Sequence, residues 1–184
     1  MKKRFLSTLV VMVTLAAAGT AQARGSGVLF DVNLFYSSSK TDTKLTTGSQ
    51  TTGSDSTTAI YDIKLGLLRD SGFYFGGMYT SRSDSALNQS GTAGSAIGAS
   101  LGYFGDSGMF IMAHYLMSAT NGQYESGTGL QADLGYKAGF GGGWLLGAEL
   151  TYRSIGYKKN STVANLDTYT TTEVLPMVSI GYLF

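Results

Sequence analysis

The sequence has no cysteine, and this absence excludes several kinds of protein. Disulfide-stapled secreted folds, thiolate metal sites and cysteine nucleophiles all need that residue. Charged side chains make up only 14% of the chain, about half the share found in soluble domains. The formal net charge of +1 provides no basic surface for nucleic acid. Proline occurs once, whereas glycine occurs 26 times and tyrosine 12 times. This composition fits one modest domain and is not typical of a soluble globule.

Residues 1–23 have the features of a cleaved secretory signal. The segment opens with three basic side chains: Lys2, Lys3 and Arg4. Residues 5–18 are mostly apolar, and Ala21 and Ala23 are small residues at the positions that a signal peptidase reads. The apolar stretch is shorter than the roughly 20 residues that a membrane-spanning helix needs. We therefore expect export, with residues 24–184 as the folded domain.

From residue 28 onward, apolar side chains occupy every second position in eight separate segments. The first runs Val28, Phe30, Val32, Leu34 and Tyr36. A period of two predicts a β-strand rather than a helix. No charged residue falls on these apolar faces. The opposite faces are mixed and carry nine charged side chains: Asp31, Asp62, Lys64, Arg82, Asp133, Lys137, Glu149, Arg153 and Glu173.

The connections between the segments alternate in length. Three are short, at about 69–72, 105–108 and 139–143, and the first two contain Asp-Ser-Gly, which suits a tight turn. Four are long loops rich in serine, threonine, glycine and asparagine, at about 37–58, 82–94, 118–128 and 154–172. A sheet can cross a bilayer only if it closes. The pattern predicts an eight-stranded antiparallel up-and-down transmembrane β-barrel, with both termini on the short-turn side.

Aromatic residues fall where the membrane interfaces are expected. One set ends the strands on the long-loop side: Tyr36, Tyr79, Tyr115 and Tyr152. The other marks the short-turn side: Phe73, Tyr103, Tyr136, Trp144 and Phe184.

The chain ends in VSIGYLF (178–184), an alternating apolar segment with a terminal aromatic residue. With the eight-strand pattern, this resembles the small outer-membrane barrel proteins of Gram-negative bacteria, the OmpX-like, OmpA-barrel-like and OmpW-like group. The resemblance covers residues 24–184. It implies export through the periplasm with the help of chaperones, and insertion by the barrel-assembly machinery. Gly181, Tyr182 and Phe184 would form the assembly signal. Outer-membrane lipid and lipopolysaccharide would surround the barrel.

Polar inward positions near mid-height form the candidate site. They are Asp31, Asp62, Lys64, His114, Asp133 and Glu149, with Asn33 nearby. A charge in a narrow, low-dielectric interior must be paired or hydrated. Two interpretations stay open. The residues form a structural ion-pair network in a barrel filled by its own side chains, or an ion pair breaks to gate a small pore. Seven inward glycines would leave room for the pore: 66, 76, 98, 102, 135, 147 and 181.

Enzymatic chemistry has little support in the sequence. His114 is the only histidine, so a histidine-cluster metal site is excluded. In a serine-nucleophile site, Ser100 and Glu149 are conceivable partners for His114, but no spacing motif connects them. Residues 139–143 lack the Lys-Ser/Thr ending of a phosphate loop. We expect a non-enzymatic protein with no catalytic, cofactor-binding or metal-binding residues.

The leading functional interpretation is a membrane scaffold that presents surface loops, for envelope integrity or surface contact. The alternative is a narrow channel, or an OmpW-like conduit for small or apolar solutes, and a lipid-modifying enzyme comes third. The loops contain several residues suited to binding a surface ligand: Tyr124, Tyr157, Lys158, Lys159 and Tyr169.

Overall fold

The computed structural model describes residues 25–44, 51–86, 89–163 and 167–184, which form a single sheet closed on itself. The predicted signal segment, residues 1–23, lies outside this part of the chain. The strands are β1 (Gly27–Lys44), β2 (Thr51–Leu68), β3 (Phe73–Ala86), β4 (Gln89–Phe104), β5 (Met109–Asn121), β6 (Tyr124–Gly141), β7 (Trp144–Tyr157), β8 (Lys159–Asn160) and β9 (Tyr169–Leu183). No helix in the described ranges is long and apolar enough to cross a membrane.

Eight of these strands form the barrel wall. Each of β1 to β6 pairs antiparallel with the next, β7 pairs with β9, and β9 pairs with β1 to close the ring. The two-residue β8 pairs only with Tyr124 and Glu125, at the start of β6. The predicted fold, a closed eight-stranded antiparallel up-and-down barrel, is therefore confirmed.

The alternation of side chains along the strands is also confirmed. On β2, Asp62 and Lys64 are fully buried inside the barrel, whereas Tyr61 and Leu65 face outward and are exposed. The large apolar side chains of the other strands follow the same rule, and Leu101 on β4 is 68% exposed. The outer surface is thus a continuous apolar belt, while the polar side chains lie inside.

The short turns form where the sequence predicts them, and each depends on a glycine. Gly72, Gly108 and Gly143 have φ values of 86°, 86° and 85°. Other residues rarely adopt this left-handed conformation. A Cβ on Gly72 would also lie 2.3 Å from the backbone oxygen of Phe104. We call this side of the barrel the short-turn end and the opposite side the hairpin end.

The prediction of long loops at the hairpin end is wrong. The strands continue through most of these segments: β1 extends to Lys44, β2 begins at Thr51, and β3 and β4 reach Ala86 and Gln89. Beyond the apolar belt the outward side chains of these strands are exposed and polar, as at Ser83, so the sequence there carries no apolar alternation. Cross-strand backbone hydrogen bonds nevertheless stabilise these extended hairpins.

Irregularities in pairing are concentrated toward the hairpin end. The β1–β9 ladder has only six residue pairs. It ends toward this side of the barrel at Leu34 and Val178, and Pro176 is the residue two positions before Val178 in the chain. Proline lacks the N–H needed to extend a ladder. On β5, Ser118 has a φ of 53° and the register with β6 shifts between Leu116 and Ala119. This bulge changes which residues face inward, so Ala119 is buried.

Candidate functional site

Lys64 on β2 holds the central charged group of the barrel. Its Nζ lies 2.5 Å from Asp133 Oδ2 on β6, and 2.9 and 3.1 Å from the two carboxylate oxygens of Glu149 on β7. All three side chains are buried. Charges in such a position are stable only when paired and hydrogen-bonded. One ammonium group therefore connects two carboxylates across the lumen.

His114 on β5 extends this group in the opposite direction. Its Nε2 lies 2.8 Å from Asp133 Oδ2, and its Nδ1 lies 2.7 Å from Ser100 Oγ on β4. The sequence suggested Ser100 and Glu149 as partners. Ser100 is a partner, but the acid is Asp133, because cross-strand pairing brings β6 rather than β7 beside β5. We call Lys64, His114, Asp133 and Glu149 the central cluster.

The other two predicted acids belong to separate ion pairs. Asp31 accepts two hydrogen bonds from Lys137 Nζ, at 2.7 and 2.8 Å, and Lys137 also donates to Ser179. Asp62 accepts two bonds from Arg153 Nη2, both at 2.8 Å. All six predicted residues are buried inside the barrel, but only four of them form the central cluster.

Uncharged residues that no sequence signal singled out connect these groups. Gln131 donates to both Asp62 and Asp133 at 3.0 Å and accepts from Arg153 Nε at 2.7 Å. Thr151 donates to Asp133 at 2.9 Å. Their inward position was readable from the alternation, but no charge marked them as part of a network. Asn33, expected nearby, is buried, and neither its amide nitrogen nor its oxygen has a hydrogen-bond partner.

The hydrogen bonds that Asp133 accepts indicate which nitrogen of His114 carries a proton. Asp133 accepts from Lys64, His114, Gln131 and Thr151, which is the acceptor pattern of an ionised carboxylate. His114 Nε2 therefore donates to Asp133.

Ser100, His114 and Asp133 have the order of a nucleophile, a base and an orienting acid. The geometry alone does not make a catalyst, because a substrate must reach the serine oxygen. Ser100 and His114 are each only 2% exposed. Among the described residues, no group of three or more histidine, cysteine, aspartate or glutamate side chains is placed to hold a metal ion.

An apolar layer fills the barrel interior below the central cluster, at the short-turn end. It consists of Leu29, Leu68, Tyr74, Phe104, Phe110, Met112 and Leu145, all buried. Phe104 stacks on Phe110 with ring centroids 5.0 Å apart, and Lys137 Nζ lies 5.1 Å from the Phe110 centroid. The apolar layer therefore packs directly against the charged network.

The space beside the inward glycines is occupied. Neighbouring large side chains fill it: a Cβ on Gly66 would lie 2.7 Å from Tyr74 Cζ, and one on Gly135 would lie 2.6 Å from Phe110 Cζ. The absence of a Cβ at these positions makes room for these neighbouring side chains. The expectation of free volume at the glycines is wrong for this reason.

A second charged group lies at the hairpin end, beyond the outward-facing Tyr79. Arg82 on β3 pairs with Glu173 on β9, and its Nε lies 2.5 Å from Asp84 Oδ2. Partial burial would raise the pKa of Asp84, but hydrogen bonds from Arg82 and Thr58 outweigh it, so this pKa lies below its ordinary value. These side chains are only partly buried and reach solvent.

The proposed assembly-signal residues lie at the seam where the barrel closes. Tyr182 contacts Trp144 and Phe184 edge-on, with centroids 5.0 and 4.6 Å away. Gly181 faces inward, and a Cβ there would lie 2.9 Å from Asp31 Oδ1. Of the loop residues suggested as contact surface, Tyr157 is instead buried, at 3% exposure, within an interior cluster.

No family model and no curated protein matches this sequence. Two solved structures are similar to it in fold. The first is the outer membrane protein AlkL, determined by solid-state NMR in DMPC bilayers, with a TM-score of 0.41 and 15% identity over 88% of this chain and 92% of that one. The second is in-vitro folded OmpT, an outer membrane protein of Vibrio cholerae in its trimer form. It has a TM-score of 0.32 and 14% identity over 87% of this chain, and the match spans 56% of that chain.

Proposed function

We propose that this chain is an integral outer-membrane protein whose sealed barrel is a non-enzymatic scaffold for the extended hairpins. The apolar outer belt supports membrane insertion, because an exposed apolar surface of this extent is stable only against lipid or another apolar surface. Tyr36 at one edge and Phe73 at the other are strongly exposed, at 66% and 61%. Aromatic rings of this kind favour the two membrane interfaces.

One observation carries the choice of a scaffold over a pore: the apolar layer closes the lumen below a fully paired charged network. An ion crossing the barrel would have to pass buried aromatic rings after breaking the Lys64 ion pairs. A barrel of eight strands is filled by side chains in this way. The sealed position of Ser100 likewise supports a non-enzymatic role.

Ion conductance of the folded protein in a planar bilayer tests this proposal. We expect no conductance steps from the wild type or from the Glu149→Ala and Lys64→Ala variants, because none of these changes opens the apolar layer. Tyr74→Ala combined with Phe104→Ala is the matched control, since it removes two rings of that layer. Reproducible steps from the wild type that change in Lys64→Ala would contradict the scaffold and favour a gated pore.

Assembly in the outer membrane would depend on the C-terminal residues. The terminal Phe184 is 72% exposed, and Gly181 and Tyr182 lie at the closing seam. We expect deletion of Phe184 to slow outer-membrane assembly in cells, whereas Val163→Ala, at an exposed site of the hairpin end, leaves it unchanged. Pulse-chase labelling measures how fast the folded band of unheated samples forms on SDS gels. Equal rates for the two variants would contradict recognition of Phe184 by the assembly machinery.

A further inference from the structure

The hairpin end contains a small cleft between β3, β4, β5, β7 and β9. Its lining includes Thr80, Arg82, Thr120, Asn121, Arg153 and Glu173. The cleft is partly open to the outside and has a volume of about 20 Å³. That is space for roughly one water-sized group. The cleft therefore fits a single hydroxyl or hydroxymethyl group of a larger ligand and not a whole ring.

Thr80 gives the cleft an unused hydrogen-bonding group. It is 4% exposed, and its Oγ1 has no hydrogen-bond partner. A buried hydroxyl without a partner is costly, and nearly all such groups in proteins are paired. Because Thr80 lines the cleft, a ligand that enters it can supply the missing partner.

The charged side chains at the cleft favour a neutral polar ligand. Arg82 is bound to Glu173 and Asp84, and Arg153 is bound to Asp62 and Gln131. With both cations already paired to carboxylates, the cleft selects neither a simple anion nor a simple cation. Paired guanidinium and carboxylate groups instead offer donors and acceptors side by side, which matches alcohol groups that both donate and accept.

Aromatic rings adjoin the cleft. Tyr157 lines the cleft, and its ring centroid lies 6.2 Å from that of Tyr169. Tyr169 stacks on Tyr124 at 4.0 Å and is itself 38% exposed. A flat amphipathic ring beside a polar cleft suits a ligand with C–H faces and hydroxyl edges.

We propose that this cleft is a saccharide-binding site. One hydroxyl or hydroxymethyl group of the sugar enters the cleft and bonds with Thr80 Oγ1, while a face of the ring packs on Tyr169. The inference rests on the proposed function, because a scaffold with its hairpins outside the cell faces a carbohydrate-rich surface. The sugar has two possible sources, the lipopolysaccharide of the same membrane and free saccharides outside it.

The test follows backbone amide and threonine methyl resonances of the protein folded in detergent micelles. Three probes are added separately: D-glucose, core oligosaccharide freed from lipid A by mild acid, and intact lipopolysaccharide. We expect shifts at Thr80, Thr120 and Thr171, and the last of these also lines the cleft. Shifts with glucose indicate free saccharides as a source, and shifts that need the core oligosaccharide indicate lipopolysaccharide. No shift at these residues with any of the three probes would overturn the proposal.

Substitutions separate the cleft from nonspecific contact with the outer wall. Thr80→Val removes only the hydroxyl, so we expect a folded protein with about tenfold weaker saccharide binding. Thr80→Ser should retain binding. Thr172→Val is the matched control, because Thr172 neighbours Thr171 on β9 but is exposed on the outward face. Equal affinity of the Thr80→Val and Thr172→Val variants would overturn the site, and conductance of the same samples reports independently on the scaffold.

Discussion

The two ends of the barrel interior differ in what fills them. The short-turn end contains the apolar layer, whose aromatic and aliphatic side chains are packed together and buried. The hairpin end combines a second buried apolar cluster, which includes Tyr157, with ion pairs that reach solvent and a water-sized cleft. The central cluster lies between them. The short-turn end is thus apolar and packed, and the hairpin end has chemically adaptable groups that reach solvent.

This difference indicates how the two ends contribute to the protein. Close-packed apolar side chains have few alternative arrangements, so the short-turn end provides rigidity and closure. Paired charges near solvent rearrange at lower cost, because water replaces a lost partner. Recognition is therefore expected at the hairpin end, and substitutions in the two regions should differ in the size and the kind of their effects.

The largest effect is expected in the central cluster. Lys64→Met leaves Glu149 and Asp133 without their shared cation in a sealed interior, and we expect a loss of about 3–5 kcal/mol of unfolding free energy. Urea-induced unfolding in lipid vesicles measures it. The double variant Lys64→Met with Glu149→Gln should recover part of the loss, since it removes one uncompensated charge. A neutral Lys64→Met would show that water reaches the cluster, which contradicts the sealed interior.

A slightly smaller effect is expected on the outer wall. Ile63 lies between Tyr61 and Leu65 on the same apolar stretch of β2. Ile63→Arg should cost about 2–4 kcal/mol in vesicles, as expected for an arginine facing the bilayer near its midplane. Ser83→Arg, on the outward face of β3 beyond Tyr79, should be almost neutral. Equal costs at the two sites would contradict the position of the membrane boundary at Tyr79.

The sequence predicted the barrel and the polarity of its two faces, because closure in a bilayer imposes a strict period of two. Asp62 and Lys64 are inside for this reason, and their burial is confirmed. Partners within the interior were harder to predict. Strand tilt and side-chain length determine which groups meet across the lumen, so Arg153 rather than Lys64 binds Asp62.

The hairpin end was predicted least well. The alternation signal disappears where the outward face of a strand is polar, so the sequence predicts loops where the strands continue. The bulge at Ser118 also shifts the inward positions of β5 by one, and no glycine or proline marks it in the sequence. Thr80 carries no charge and lies in no motif, so only its missing hydrogen-bond partner identifies it.

An intermediate effect is expected at Asn33, which tests whether the interior tolerates unpaired polar groups. Its amide is buried without a partner, so Asn33→Leu exchanges an unsatisfied group for an apolar one of similar size. We expect a stabilisation of about 1 kcal/mol in urea unfolding. Ser100→Ala is the contrasting control, because it removes a partner of His114 and should destabilise the protein. A destabilising Asn33→Leu would indicate that the amide is hydrated by internal water.

The smallest effect is expected at the solvent-exposed ion pairs of the hairpin end. Partial burial acts to raise the pKa of Asp84. The hydrogen bonds from Arg82 and Thr58 lower this pKa by a larger amount, so the folded value lies below the unfolded one. Its contribution to stability is therefore complete above the ordinary aspartate pKa of about 4 and is lost as the pH falls through the folded value. Asp84→Asn should reduce the difference in unfolding midpoint between pH 7 and pH 3, whereas Asp167→Asn, at an exposed site, should not. If both variants keep the wild-type difference, Asp84 contributes nothing to acid sensitivity, which contradicts the prediction. If Asp84→Asn removes most of that difference, these pairs hold the hairpin end more rigidly than their exposure suggests, which contradicts the comparison with the apolar layer.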